Sequence, residues 1–222
     1  MGLVATHQTD ELAARALAHR RCEPFGIAIA RKVTSGTLAH ELLGIDVAHD
    51  DRGAPYAAGT DSPLISLTDE GDLVACAWAT PQEGSRVLGV GIDLADPSDF
   101  DRENARERIV RLMFFDEERA LAKGAGLDDR PLTWARLFSA KEAAFKATSQ
   151  ALRAYYRTND EELFFEVRDF SSTSWDEVHG VARVGDAAYG AARLDIQTIK
   201  VYATEVEGLA LTCAIALGKG EL

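Results

Sequence analysis

The spacing of apolar and polar residues changes several times along this chain, and each change marks an element. Leu12, Ala13, Ala16 and Leu17 recur at helical intervals behind Asp10, predicting a short helix over residues 10–20. Phe25 to Ala30 reads as a strand, and Thr34 to Leu43 as a helix stopped by Gly44. Residues 52–61, rich in Gly, Pro and Ala, read as a loop. Strands at Leu64–Thr68 and Leu73–Ala79 flank Asp69-Glu70-Gly71-Asp72, a hairpin signature. Val87 to Leu94 is an almost unbroken apolar strand. Pro97 and Ser98 open a long helical stretch that breaks near Phe114–Asp116 and reaches Lys123. Leu132 to Ala154 is helical, and strands dominate from Leu163 onward.

Two of these segments echo each other. Thr68-Asp69 followed by Leu73–Ala79 matches Thr204-Glu205 followed by Ala210–Ala216, with one gap. Alternating Ala-rich strands can look alike by chance. Read as a repeat, the echo predicts an α+β fold of two similar lobes about a pseudo-twofold axis, each with a small antiparallel sheet and packed helices. The division falls at residues 1–85 and 86–222.

Bulk properties narrow the function classes. The 222 residues suffice for one large domain or two packed lobes. A formal net charge of −12 opposes nucleic-acid phosphates and, without a local basic patch, an acidic partner. No apolar run is long enough to cross a bilayer, and residues 1–10 carry no signal-peptide pattern, which predicts a cytoplasmic protein. Cys22, Cys76 and Cys213 lie far apart with no CxxC, so they read as buried thiols. His7, His19, His40, His49 and His179 lack metal spacing, and no Gly-x-Ser-x-Gly elbow, Walker loop or dinucleotide fingerprint is present.

Candidate chemistry lies in two segments. Along Val87–Leu94, alternation puts Val90, Ile92 and Leu94 on one face and Gly89, Gly91 and Asp93 on the other. Asp93 then projects from a face otherwise bare, where a ligand can approach the backbone. A carboxylate there needs a partner, which a divalent cation, a helix cap or a salt bridge would each supply. In Phe138-Ser139-Ala140-Lys141-Glu142-Ala143-Ala144-Phe145-Lys146, Glu142 and Lys146 share a helix face, as an ordinary ion pair also would.

Together the segments resemble a known family. A Gly-Ile-Asp strand (Gly91-Ile92-Asp93), followed about 45–50 residues later by Phe-Ser-x-Lys-Glu-Ala-x-x-Lys (Phe138 to Lys146), is similar to the paired motif of 4′-phosphopantetheinyl transferases. Residues Arg111 to Glu118 resemble the intervening helices, and the wording is closest to the large, siderophore (enterobactin-synthase) type. A second Gly-Ile-Asp, Gly44-Ile45-Asp46, lacks a Lys-Glu helix at that spacing and reads as structural or surface.

The resemblance implies a monomeric, magnesium-dependent enzyme that moves the phosphopantetheine arm of coenzyme A to a serine of an acyl or peptidyl carrier protein, in polyketide, nonribosomal-peptide or siderophore synthesis. Carried over, Asp93 and Glu142 hold Mg2+ with the pyrophosphate. Glu142 or a water on the ion deprotonates the serine. Lys146 holds the phosphoryl group or the leaving 3′,5′-ADP, and Lys141 contacts a phosphate or supports the site. The third acidic ligand of many members is replaced by Ala95.

The first motif of the family departs further. Its loop, Gly-(Arg/Lys)-Pro, corresponds to Gly53-Ala54-Pro55, and its Ser-x-(Ser/Thr)-His to Ser66-Leu67-Thr68-Asp69. Both residues that grip the 3′-phosphate are thus absent, and an Asp repels it. Arg52, Ser66 and Thr68 remain as donor-binding candidates, with Arg20, Arg21, Arg31 and Lys32 as further cations. A basic strip of Arg102, Arg106, Arg108 and Arg111 suits an acidic carrier, or is a solvated face paired with Glu103 and Glu107. Two other readings stay open: a diverged homologue acting on another biosynthetic intermediate, and a non-catalytic binding protein.

Overall fold

The computed structural model describes residues 2–3, 22–50, 53–59, 63–81, 85–101, 103–156, 166–176, 179–184 and 194–218. The helix expected over residues 10–20 lies outside them, as do Arg20, Arg21, Arg52 and Arg102.

Eleven strands are described: β1 (Gly2–Leu3), β2 (Cys22–Arg31), β3 (Val47–His49), β4 (Pro55–Ala57), β5 (Leu64–Glu70), β6 (Leu73–Pro81), β7 (Val87–Ala95), β8 (Phe170–Asp176), β9 (His179–Val184), β10 (Ile196–Val206) and β11 (Leu209–Gly218). The described helices are α1 (Ser35–Leu43), α2 (Glu103–Met113), α3 (Asp116–Gly124) and α4 (Arg130–Tyr156). Thr34 caps α1 by accepting from the Thr37 N–H, and Gly44 ends it at a φ of 65°. The expected break at Phe114–Asp116 is the α2–α3 junction. The expected loop at 52–61 also contains β4, paired with β3.

Two antiparallel sheets make the body, ordered β1-β2-β6-β5 and β7-β11-β10-β9-β8. Ile27, Ile29, Ala75 and Ala77 of the first pack against Val90, Ile92, Leu211, Cys213 and Ile215 of the second. The outer face of the first sheet takes Leu38 and Ala39 of α1. The outer face of the second takes the alanine stripe Ala140, Ala143, Ala144 and Ala147 of α4. Each echoing segment forms a hairpin with a two-residue turn, Gly71-Asp72 and Glu207-Gly208, and Arg31 ion-pairs with both Asp72 and Glu207. Arg31 is thereby committed to structure.

The sheets meet edge to edge where β5 runs beside β7. These strands do not pair; side chains close the gap. Ser66 Oγ accepts from the Ile92 N–H at 3.0 Å, and Thr68 Oγ1 from the Leu94 N–H at 3.4 Å. Gln150, on α4, accepts from the Val90 N–H at 3.1 Å and donates to the carbonyls of Val90 (2.7 Å) and Ile65 (2.5 Å). A buried strand edge left unpaired is costly, so this seam fixes one sheet against the other. Among the described residues, no helix is long and apolar enough to cross a membrane.

Candidate active site

Strand alternation puts Gly89, Gly91 and Asp93 on one face, as expected, but that face meets α4 and is not open to a ligand. A Cβ at Gly91 would lie 1.8 Å from the Ala143 carbonyl oxygen, and one at Gly89 would lie 2.0 Å from that of Ala147. The helix backbone itself occupies the space. The expectation of a bare, ligand-accessible face is therefore corrected: glycine is required there so that α4 can come close enough for its side chains to reach Asp93.

Asp93 is 6% exposed. Lys146 Nζ donates to its Oδ1 at 2.7 Å and to the Ile92 carbonyl at 3.1 Å. Thr68 Oγ1 donates to the same Oδ1 at 3.3 Å, and Ser139 Oγ donates to the Asp93 carbonyl at 3.0 Å. Among the described residues, Asp93 Oδ2 is buried with no hydrogen-bond partner. Burial raises the Asp93 carboxyl above the ordinary range, with Lys146 opposing. Glu142, half-buried one turn before Lys146, is also raised, first by burial and then by the Asp93 charge. Asp93, Glu142 and Lys146 thus form one electrostatic unit.

These donors suit a hard divalent cation. Two oxygen-bearing side chains interact through their charges, and one buried oxygen has no hydrogen-bond partner among the described residues. No group of three potential metal-holding side chains exists among the described residues. Ala95 is buried and has no donor to offer. An ion there would rely on Asp93 and Glu142, with water or substrate completing its shell.

The other expected binding residues are placed as follows. Lys141 is fully buried, its ammonium 3.0 and 3.2 Å from the two Glu118 carboxylate oxygens. Of the two roles the resemblance implied, this geometry fits support of the site and gives contact with a dissolved phosphate no support. The hydroxyls of Ser66 and Thr68 serve the β5–β7 seam. Asp69 is exposed, and Glu70 beside it feels the charges of Asp99, Asp96, Asp93 and Asp69, so the rim here is acidic. Asp46 of the second Gly-Ile-Asp is 90% exposed.

Three contributors were not singled out from sequence, Glu118, Gln150 and Arg153, and Ser139 stood in the quoted motif without a role. Arg153 donates to Asp50 Oδ2 at 3.0 and 3.1 Å and to the Ala54 carbonyl at 3.1 Å, and it stacks 4.7 Å from the Tyr56 ring centre. A guanidinium thus sits on the loop where Ala54 replaces a basic residue. The available signal was helical spacing: Glu142, Lys146, Gln150 and Arg153 recur on one face of α4.

The family model described as the 4′-phosphopantetheinyl transferase superfamily matches residues 89–210, more than half of the chain. No curated protein matches. Solved structures that resemble the chain include the holo-ACP synthase of Plasmodium yoelii, at 14% identity and a TM-score of 0.47 over 60% of this chain and 97% of that one. The holo-[acyl-carrier-protein] synthase of Neisseria meningitidis follows, at 18% identity and 0.46 over 59% and 98%. The acyl carrier protein synthase of Mycobacterium tuberculosis stands at 26% identity and 0.42 over 60% and 99%.

Proposed function

Because this chain belongs to the 4′-phosphopantetheinyl transferase superfamily, we propose that it transfers the phosphopantetheine arm of coenzyme A to a serine of an acyl or peptidyl carrier protein. The observation that carries this reading is the Asp93–Lys146–Glu142 unit at the β7–α4 contact, with Asp93 Oδ2 buried and without a hydrogen-bond partner among the described residues.

In the reaction, the serine hydroxyl oxygen bonds to the β-phosphorus of coenzyme A. The bond from that phosphorus to the bridging oxygen breaks, and 3′,5′-ADP leaves. Asp93 and Glu142 are the residues that would hold Mg2+, which when bound offsets charge on the diphosphate. Glu142 is the candidate to accept the serine proton. Lys146 is 27% exposed at its side chain, so its ammonium can serve both Asp93 and a phosphoryl oxygen at the surface. Thr68 and Ser139 hold Asp93 and its carbonyl in place.

Several finer points belong to the same reading. The chain is of the large, two-lobed, monomeric type, its lobes dividing near residue 85 about a pseudo-twofold axis, and it works in the cytoplasm on a siderophore, polyketide or nonribosomal-peptide carrier. Arg108 and Arg111 lie exposed on α2 beside Leu112 and the carboxylate of Glu107, a patch of net positive charge that suits an acidic carrier. Ala54 and Asp69 favour a second reading, in which the donor lacks the 3′-phosphate. The decisive experiment is intact mass of an apo carrier protein incubated with Mg2+ and either coenzyme A or dephospho-coenzyme A. Gain of one phosphopantetheine by the wild type, and not by Asp93→Asn or Glu142→Gln, is expected. No gain with either donor rejects transferase function.

A further inference from the structure

Around Glu142, the helix that delivers this residue and Lys146 packs on its sheet through a smooth patch of small residues. On β7 the contact residues are Gly89 and Gly91, and on α4 they are Ala143 and Ala147, so backbone meets backbone. On β11, Ala214 and Ala216 continue the surface. Apolar contact is non-directional, and a face without knobs and holes sets the helix neither along its axis nor about it. Trp134, Leu137, Phe138, Phe145 and Leu152 of α4 pack into the core elsewhere along the helix and share in placing it, while over the stretch around Glu142 directional contacts add the finer aim.

One flank carries several: Ser139 to the Asp93 carbonyl, Lys146 to Ile92 and Asp93, and Gln150 to Val90. At about 100° per residue, Lys141 stands on a different flank from Glu142, roughly a third of a turn away. There it meets Glu118 of α3, and both side chains have no exposed surface. The Glu118 carboxylate is itself aimed, because Oε2 also accepts from the Phe115 N–H at 2.8 Å, at the start of α3. Lys141 Nζ lies 4.7 Å from the Phe115 ring centre and 5.6 Å from that of Phe114, while Phe114 packs on Trp134 of α4. A buried ion pair adds little net stability over an apolar pair of similar volume. What it adds is direction, and it adds it at the residue next to Glu142.

We propose that Glu118 is a positioning residue of the active site: through Lys141 it fixes the rotation of α4 and so sets Glu142 where it acts together with Asp93. The proposal rests on the cation role given to Asp93 and Glu142 above. It gives the Lys of the Lys141-Glu142 pair a task separate from phosphate binding. It also explains why α3 must begin where it does, since the N-terminal turn of α3 orients the carboxylate that orients α4.

The test replaces the pair by apolar residues, Glu118→Leu with Lys141→Met, and also makes Glu118→Gln alone. The probe is Mn2+ without substrate, its affinity read by electron paramagnetic resonance titration, with thermal unfolding as the control for folding. The double variant is expected to melt at or above the wild-type temperature, yet bind Mn2+ several-fold more weakly, because the clamp beside Glu142 is gone. In carrier modification its kcat should fall with little change in KM for the donor. Glu118→Gln, which keeps the shape of the side chain, should fold and show a severalfold loss of Mn2+ affinity. Wild-type Mn2+ affinity in a folded variant of either kind overturns the proposal, and so does a wild-type protein that takes up no Mn2+. If the wild type modifies no carrier, the transferase reading falls separately, and the Mn2+ comparison still decides the role of Glu118.

Discussion

Replacing Gly91 by Ala tests the β7–α4 contact at its tightest point. The added Cβ would sit 1.8 Å from the Ala143 carbonyl oxygen and 2.9 Å from the Ala147 backbone nitrogen, whereas ordinary contact begins near 3.4 Å. Both obstacles are backbone, so no rotamer change relieves them, and α4 must retreat by about 1.6 Å. The contacts from Ser139 to the Asp93 carbonyl (3.0 Å), Lys146 to the Ile92 carbonyl (3.1 Å) and Gln150 to the Val90 carbonyl (2.7 Å) would then all exceed hydrogen-bonding distance. Overpacking costs about 1–3 kcal/mol, and each lost hydrogen bond about 1 kcal/mol more, with a further penalty where a buried group is left unpaired. The expected loss is therefore at least ~3 kcal/mol, a large part of a typical 5–15 kcal/mol. Urea unfolding measures it directly, and Mn2+ titration of the fraction still folded should show weakened binding. A Gly91→Ala protein within about 1 kcal/mol of wild type, binding Mn2+ normally, would refute the account of why glycine stands there.

Gln150→Leu removes the partners of the Val90 N–H and carbonyl and of the Ile65 carbonyl, so a loss of about 2–4 kcal/mol is expected by urea unfolding, against less than 1 if the seam is incidental. Burial raises Glu142 above the ordinary carboxylate range. Between the ordinary and the raised value, the folded protein holds a proton that the unfolded chain has released, so without divalent ion the wild type should gain stability over Glu142→Gln as pH falls through that window. Saturating Mg2+ should abolish the gain, and thermal melts across pH will show either outcome. Cys76 and Cys213 are fully buried and their thiols are pushed up to about 12, so iodoacetamide should modify neither in the native protein. Labelling of either by peptide mass before unfolding would contradict that placement.

The elements were legible where one force dominated. Thr34 and Gly44 bracket α1 because caps are local chemistry, and Val87–Leu94 reads as a buried strand, observed as Val87–Ala95, because nothing polar interrupts it before Asp93. That Asp93, Glu142 and Lys146 would converge was legible because an ordered motif pair constrains both segments; the roles given to them remain proposals. The glycine face misled: alternation correctly put Gly89 and Gly91 beside Asp93 but cannot say whether a ligand or a helix fills the space. β3 and β4 were missed because three-residue strands carry too little pattern. Glu118, Gln150 and Arg153 were missed because their partners, Lys141, Val90 and Asp50, lie far away in sequence. In local sequence a buried clamp looks like any polar residue on a helix.

The claim on which the rest depends is that Asp93 and Glu142 hold one divalent ion between β7 and α4. Anomalous diffraction from crystals soaked in Mn2+ tests it without any assumption about donor or carrier. The account predicts a single strong peak within about 2.0–2.3 Å of a carboxylate oxygen from each residue, with Asp93 Oδ2 among the ligands. A peak on the acidic rim near Glu70 and Asp99 alone, or none between Asp93 and Glu142, would contradict it.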